Sequence, residues 1–94
     1  MFHAKFLDNG GIEFSGRLDA AEADKADEVL AKVSTTRLID LKDLEYVSSA
    51  GLGVLIKHQK RLKESGYGLK LKNLNKHIKD IFMYTGFDRI FEIE

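Results

Sequence analysis

The chain of 94 residues contains no cysteine and no proline. Without thiols it has neither a disulfide framework nor a thiolate metal site. Its three histidines, His3, His58 and His77, stand far apart with no ligand spacing, so no metal site is expected and no cofactor is called for. Without proline, and with no repeat or low-complexity tract, no internal boundary is visible, and a single domain over 1–94 is expected. Nowhere is there a run approaching the roughly 20 apolar residues of a membrane span. The start, Met1-Phe2-His3-Ala4-Lys5, lacks the apolar core of a signal peptide, so a cytoplasmic protein is expected. An excess of one charge is missing as well. Lys and Arg number 15 and Asp and Glu number 15, whereas a dedicated nucleic-acid domain is usually strongly basic.

What is present is an ordinary soluble balance, 44% apolar and 32% charged, enough for one core. The charge is unevenly placed. Carboxylates dominate between Met1 and Leu30, while from Lys57 to Lys79 the cations face Glu64 alone. Such asymmetry can steer an acidic partner, or it can be a solvated helix face and sheet edge.

Period-2 alternation in Phe2, Ala4, Phe6 and again in Ile12-Glu13-Phe14, separated by Asp8-Asn9-Gly10-Gly11, predicts a hairpin, with Gly16 ending its second strand. Asp19-Ala20-Ala21-Glu22 has capping-box spacing. Behind it Ala23, Ala26, Val29, Leu30 and Val33 mark a first helix. A strand over about Arg37 to Leu41 is followed by a polar bend, Lys42-Asp43. A second helix is expected from Ser49 to Glu64, with Lys57, Lys60, Arg61 and Glu64 outermost, His58 among the exposed positions, and Gly66 beyond its end. Leu69 and Leu71 mark another half-exposed strand. Asn75 caps a third helix that Gly86 ends, and Phe87, Ile90, Phe91 and Ile93 form a docking tail. Because several strands alternate instead of running apolar throughout, the expected class is α/β, a mixed β-sheet with helices mainly on one face and water on part of the other.

The organising stretch is Val47-Ser48-Ser49-Ala50-Gly51-Leu52-Gly53-Val54-Leu55, where a strand hands over to the central helix. A serine there caps the first-turn N–H groups, and the same groups with the helix dipole favour an anion. A phosphoryl group on Ser49 is therefore tolerable. Read from the residues alone, both serines can equally be caps. Gly51 and Gly53 read as close packing of the helix start against the sheet. Ser49 with Gly51 is half of a nucleophile elbow, but Val47 replaces the first glycine and no triad is visible, so no enzyme is expected. Gly51-Leu52-Gly53 fails as a dinucleotide loop because Ile56 stands where the third glycine belongs. Asp19, Asp40 and Asp43 are candidates for a carboxylate cluster at one sheet rim.

Gly16-Arg17-Leu18-Asp19, Leu38-Ile39-Asp40-Leu41, the serine-glycine stretch, and Ile81-Phe82-x-x-Thr85-Gly86-Phe87-x-x-Ile90-Phe91 together resemble the STAS domains of bacterial anti-sigma factor antagonists. The resemblance spans nearly the whole chain. It implies a partner switch. An unphosphorylated antagonist binds an anti-sigma factor and a sigma factor is released. The anti-sigma factor, often a serine-protein kinase of the histidine-kinase-like ATPase type, phosphorylates one serine and the complex falls apart; a phosphatase restores it. Counted back from Gly51, that serine is Ser49, and Ser48 stands where sporulation-type members carry aspartate. The implied partner surface comprises Asp19, Ser48, Ser49, Gly51, Leu52, Gly53 and Lys57. The competing implication is a STAS scaffold or transporter accessory subunit without a sigma-factor partner.

Overall fold

Apolar residues recur every second position in the strands and every third or fourth in the helices, and the two rows meet in one core. The computed structural model describes residues 1–94. Its elements are β1 (Phe2–Phe6), β2 (Ile12–Leu18), a 3-10 turn (Ala20–Glu22), α1 (Ala23–Ala31), β3 (Arg37–Val47), α2 (Ser49–Glu64), β4 (Leu69–Lys72), α3 (Lys76–Thr85), a 3-10 turn (Phe87–Arg89) and β5 (Glu92–Ile93). The strands lie in the order β1-β2-β3-β4-β5. β1 runs antiparallel to β2 and every other pair is parallel, which makes the sheet mixed, as the alternating strands predicted.

Register places like beside like. Ile12 faces Ile39 and Ile39 faces Leu71, and all three are completely buried. With Leu30 of α1, Leu55 and Leu62 of α2, and Ile78 and Phe82 of α3 they belong to one core cluster of 19 residues. The alternate row runs Lys5, Glu13, Asp40, Lys72 across four strands and lies outside that core. Helices and core thus share one face of the sheet and the other is polar.

The first helix stops at Ala31, short of Val33, the tail gains a short strand at Glu92–Ile93, and two strand boundaries differ from the sequence reading. Gly16 does not end β2, which continues to Leu18. Gly16 has φ +84°, and Met1 O lies 1.9 Å from where a Cβ would sit, while the Arg17 N–H donates to that same carbonyl (3.0 Å). The glycine is there for a close backbone approach at a register shift in the β2–β3 pair, not for termination. Likewise Lys42-Asp43 is not a bend. β3 runs unbroken for 11 residues, with Asp43 opposite Ser15 just past another register shift. An irregularity in pairing keeps two polar residues exposed without ending the strand.

The remaining punctuation acts as expected. Asn75 Oδ1 accepts the Ile78 N–H (2.9 Å), and Gly86 closes α3 at φ +80°. Within the tail, Phe91 is buried against Phe82, with ring centroids 5.8 Å apart. Ile90 stays partly exposed, but its carbonyl accepts from the buried Gln59 Nε2 (2.8 Å), which fixes the tail to α2.

Candidate functional site at the head of the central helix

The longest strand, β3, feeds the longest helix, α2, through a single residue. Ser48 has extended backbone (φ −86°, ψ 170°), and its N–H donates to the Leu18 carbonyl at the end of β2 (2.8 Å). Its Oγ accepts the Gly51 N–H (3.1 Å) and its carbonyl accepts the Leu52 N–H (2.9 Å). Ser48 is therefore the N-cap. Ser49 is the first helical residue and is exposed. The outward N–H groups of Ser49 and Ala50 are the first-turn donors left over, and no carboxylate stands in that turn to offset the helix dipole. The sequence reading allowed both serines to be caps; the geometry gives that role to Ser48.

Around this loop, Gly51 sits against Leu18. A Cβ added there would lie 2.7 Å from Leu18 Cγ and 3.0 Å from its carbonyl oxygen. Leu52 is buried. Both residues hold the head of α2 on the sheet and present little to a partner. Gly53 is exposed, one turn beyond Ser49. Half-buried Asp19 follows Leu18, and so adjoins the serine loop. Its Oδ1 accepts the Glu22 N–H (3.2 Å). The reciprocal arm of the expected capping box is missing, because Glu22 Oε1 instead accepts the Phe2 N–H (3.3 Å) and pins β1. Lys57 is exposed, but its ammonium lies 3.0 Å from Asp27 of α1.

The expected exposure of His58 is overturned: it is 2% exposed. Its Nε2–H donates to Asp27 Oδ1, and its Nδ1 accepts from Arg61 Nε (3.1 Å). The Arg61 guanidinium then donates to the carbonyls of Leu30 (3.0 Å) and Val33 (2.8 Å), where α1 runs out. Arg61 is exposed, as expected, and its guanidinium clasps the two helices together. The His58 bond first, and the Lys57 bond second, hold the Asp27 carboxyl below its usual value. The signal for burial was available, since His58 is three residues after Leu55 and four before Leu62, on the inward stripe. Nine residues of helix, roughly 13 Å, separate His58 from Ser49, so the two form no nucleophile–base pair.

The three carboxylates read as a possible cluster are dispersed. Asp40 is opposite Glu13, which is six residues, roughly 20 Å of strand, before Asp19. Asp43 is opposite Ser15. One grouping escaped the sequence reading. The Arg17 guanidinium lies 4.5 Å from the Tyr46 ring centroid, and Tyr46 stacks on His77 (6.4 Å, 20° between planes), next to the serine loop in sequence. No helix is long and apolar enough to cross a membrane.

Set against known proteins, residues 4–92 match the family described as "Mlab, STAS domain". The anti-sigma-B factor antagonist of Bacillus subtilis (strain 168) is 34% identical over 85 residues, covering 87% of this chain and 78% of the relative. Among solved structures, the anti-sigma factor antagonist SpoIIAA in its unphosphorylated form superposes with TM-score 0.78 at 15% identity, covering 100% of this chain and 88% of SpoIIAA. The phosphorylated form of the Bacillus cell fate determinant SpoIIAA superposes with TM-score 0.72, also at 15% identity, covering 100% and 91%. This chain belongs to the STAS domain family and has its fold.

Proposed function

We propose that this chain is an anti-sigma factor antagonist whose unphosphorylated form binds an anti-sigma factor of the kinase type, and whose phosphorylation at Ser49 ends that complex. The observation carrying this reading is the division of labour between the serines. Ser48 closes the first turn, which leaves the Ser49 hydroxyl exposed beside two unbonded N–H groups. Phosphate brings about −1.5 to −2 charges, and a helix start supplies donors for it. The same charge in a packed protein interface meets desolvation and bulk that the partner cannot accommodate. The modification therefore acts on the complex and spares the fold. In keeping with that, the two superposed forms of SpoIIAA share one architecture. The sigma factor is released while the antagonist occupies its inhibitor, and a phosphatase resets the switch.

The test is incubation of the purified chain with purified serine-kinase anti-sigma factors of its source organism and ATP, followed by mapping of the modified residue. Phosphate on Ser49, with loss of the complex, is expected. Modification of Ser48 alone, or of neither serine by a kinase that binds the chain, overturns the assignment. Ser49→Asp should weaken binding at least tenfold while moving the melting temperature only slightly, as exposed substitutions do. A chain that binds none of these kinases is a STAS scaffold with another partner.

A further inference from the structure

Gly53 is a helix-weakening residue for which nothing inside the molecule accounts. Each of the other glycines has a positive φ or an atom within 3.4 Å of the position a Cβ would take; Gly53 has neither, and a Cβ there meets nothing within 4 Å. It stands inside α2, past the first turn, exposed and in helical conformation. Glycine at such a position costs helix stability that alanine would restore without a clash. Its neighbour Gly51 shows what an internal reason looks like, with the Leu18 side chain and carbonyl pressed against it. A missing side chain in open space serves a surface that comes from outside.

We propose that Gly53 is the point of closest approach between α2 and the anti-sigma factor, where partner main chain or a flat side chain lies directly on the helix backbone. The inference rests on the function proposed above, and the choice of occupant follows from position. Ser49 and Gly53 are four residues apart, so they are neighbours on one helix face, and both are exposed. A partner close enough to be expelled by phosphate on Ser49 also covers Gly53. Removing the Cβ brings the two backbones nearer and makes the fit selective for partners without bulk at that point. Gly53 is thus a specificity-determining position that reads partner shape, while Ser49 carries the charge signal.

The experiment measures affinity for the anti-sigma factor identified by the phosphorylation assay, by titration calorimetry, alongside thermal melts of each chain. Four chains are compared: wild type, Gly53→Ala, Ser49→Asp, and Lys60→Ala as an exposed control on the same helix. Gly53→Ala should melt a few degrees higher, as expected for a helix-propensity gain in a domain of this size. It should nevertheless bind at least tenfold more weakly, with Lys60→Ala unchanged. This opposition of stability and affinity is what a merely structural glycine does not produce. If Gly53→Ala binds within twofold of wild type while Ser49→Asp is weakened, the inference is overturned and the proposed function stands. If neither substitution weakens binding, or wild type binds no anti-sigma factor, the proposed function fails and takes the inference with it.

Discussion

The two serines at the head of α2 carry identical side chains, and one backbone conformation separates them. Ser48 is extended, so its hydroxyl reaches forward to the Gly51 N–H; Ser49 is already helical and its hydroxyl faces out. Ser48→Ala should therefore cost about 1 kcal/mol of folding stability, the usual loss for a helix cap. Ser49→Ala should stay within about 0.5 kcal/mol of wild type. Urea denaturation of both variants checks the pair; a larger loss at Ser49 would reverse the assignment. Sequence located the cap region but not which serine caps, because N-cap and first helical position differ only in backbone angles that no side chain here dictates. His58 was open to a better reading, since its spacing matched the buried stripe. Its polarity argued for exposure, and a partner 31 residues away satisfied that polarity.

At the scale of elements, α1 and α2 are held together by polar atoms as well as by core packing. Asp27 takes both His58 and Lys57, and Arg61 takes the carbonyls at the end of α1. The Asp27 carboxyl is held below its ordinary value, so its contribution is present above the unfolded-state pKa, about 3.9, and is lost as pH falls through the lower folded value. Asp27→Asn should lower stability at neutral pH. The gap between variant and wild type should close as the solution is acidified below about pH 4, and denaturant midpoints measured from pH 7 to pH 3 check the sign. The head of α2 depends on closeness to β2. Gly51→Ala should destabilise by roughly 1–3 kcal/mol, because a Cβ meets both Leu18 Cγ and the less movable Leu18 carbonyl. A urea midpoint unchanged by Gly51→Ala would contradict that packing. Strand lengths were the least legible feature. Gly16 and Lys42-Asp43 carry the chemistry of chain breaks, yet pairing of β2 with both β1 and β3 carries the chain through Gly16, and pairing with β2 alone carries β3 through Lys42-Asp43.

For the whole molecule, the uneven charge seen along the chain is partly consumed within the fold. Lys57 pairs with Asp27, and Lys70 with Glu92, so acidic and basic segments distant in sequence meet. Lys60, Lys63 and Lys79 of the basic stretch stay exposed on the helices, as does the head of α2, and the sheet face away from the helices is polar. A single core on the opposite face explains why charge added at Ser49 should leave the architecture alone: the buried cluster contains no part of that residue.

The sequence by itself determined the three helices and the first four strands in order, the mixed sheet and the stretch on which function turns, while the tail read as a docking segment carries a fifth strand, Glu92–Ile93, that only the fold reveals. Alternation, helical spacing and capping residues act over a few positions, and those are written locally. Only the tertiary structure decided which serine is free, which glycine is packed and which is bare, and where His58 and Arg61 find their partners. Those answers depend on atoms brought together from segments about 30 residues apart, such as Leu18 with Gly51 and Asp27 with His58. No periodicity within one element can encode them.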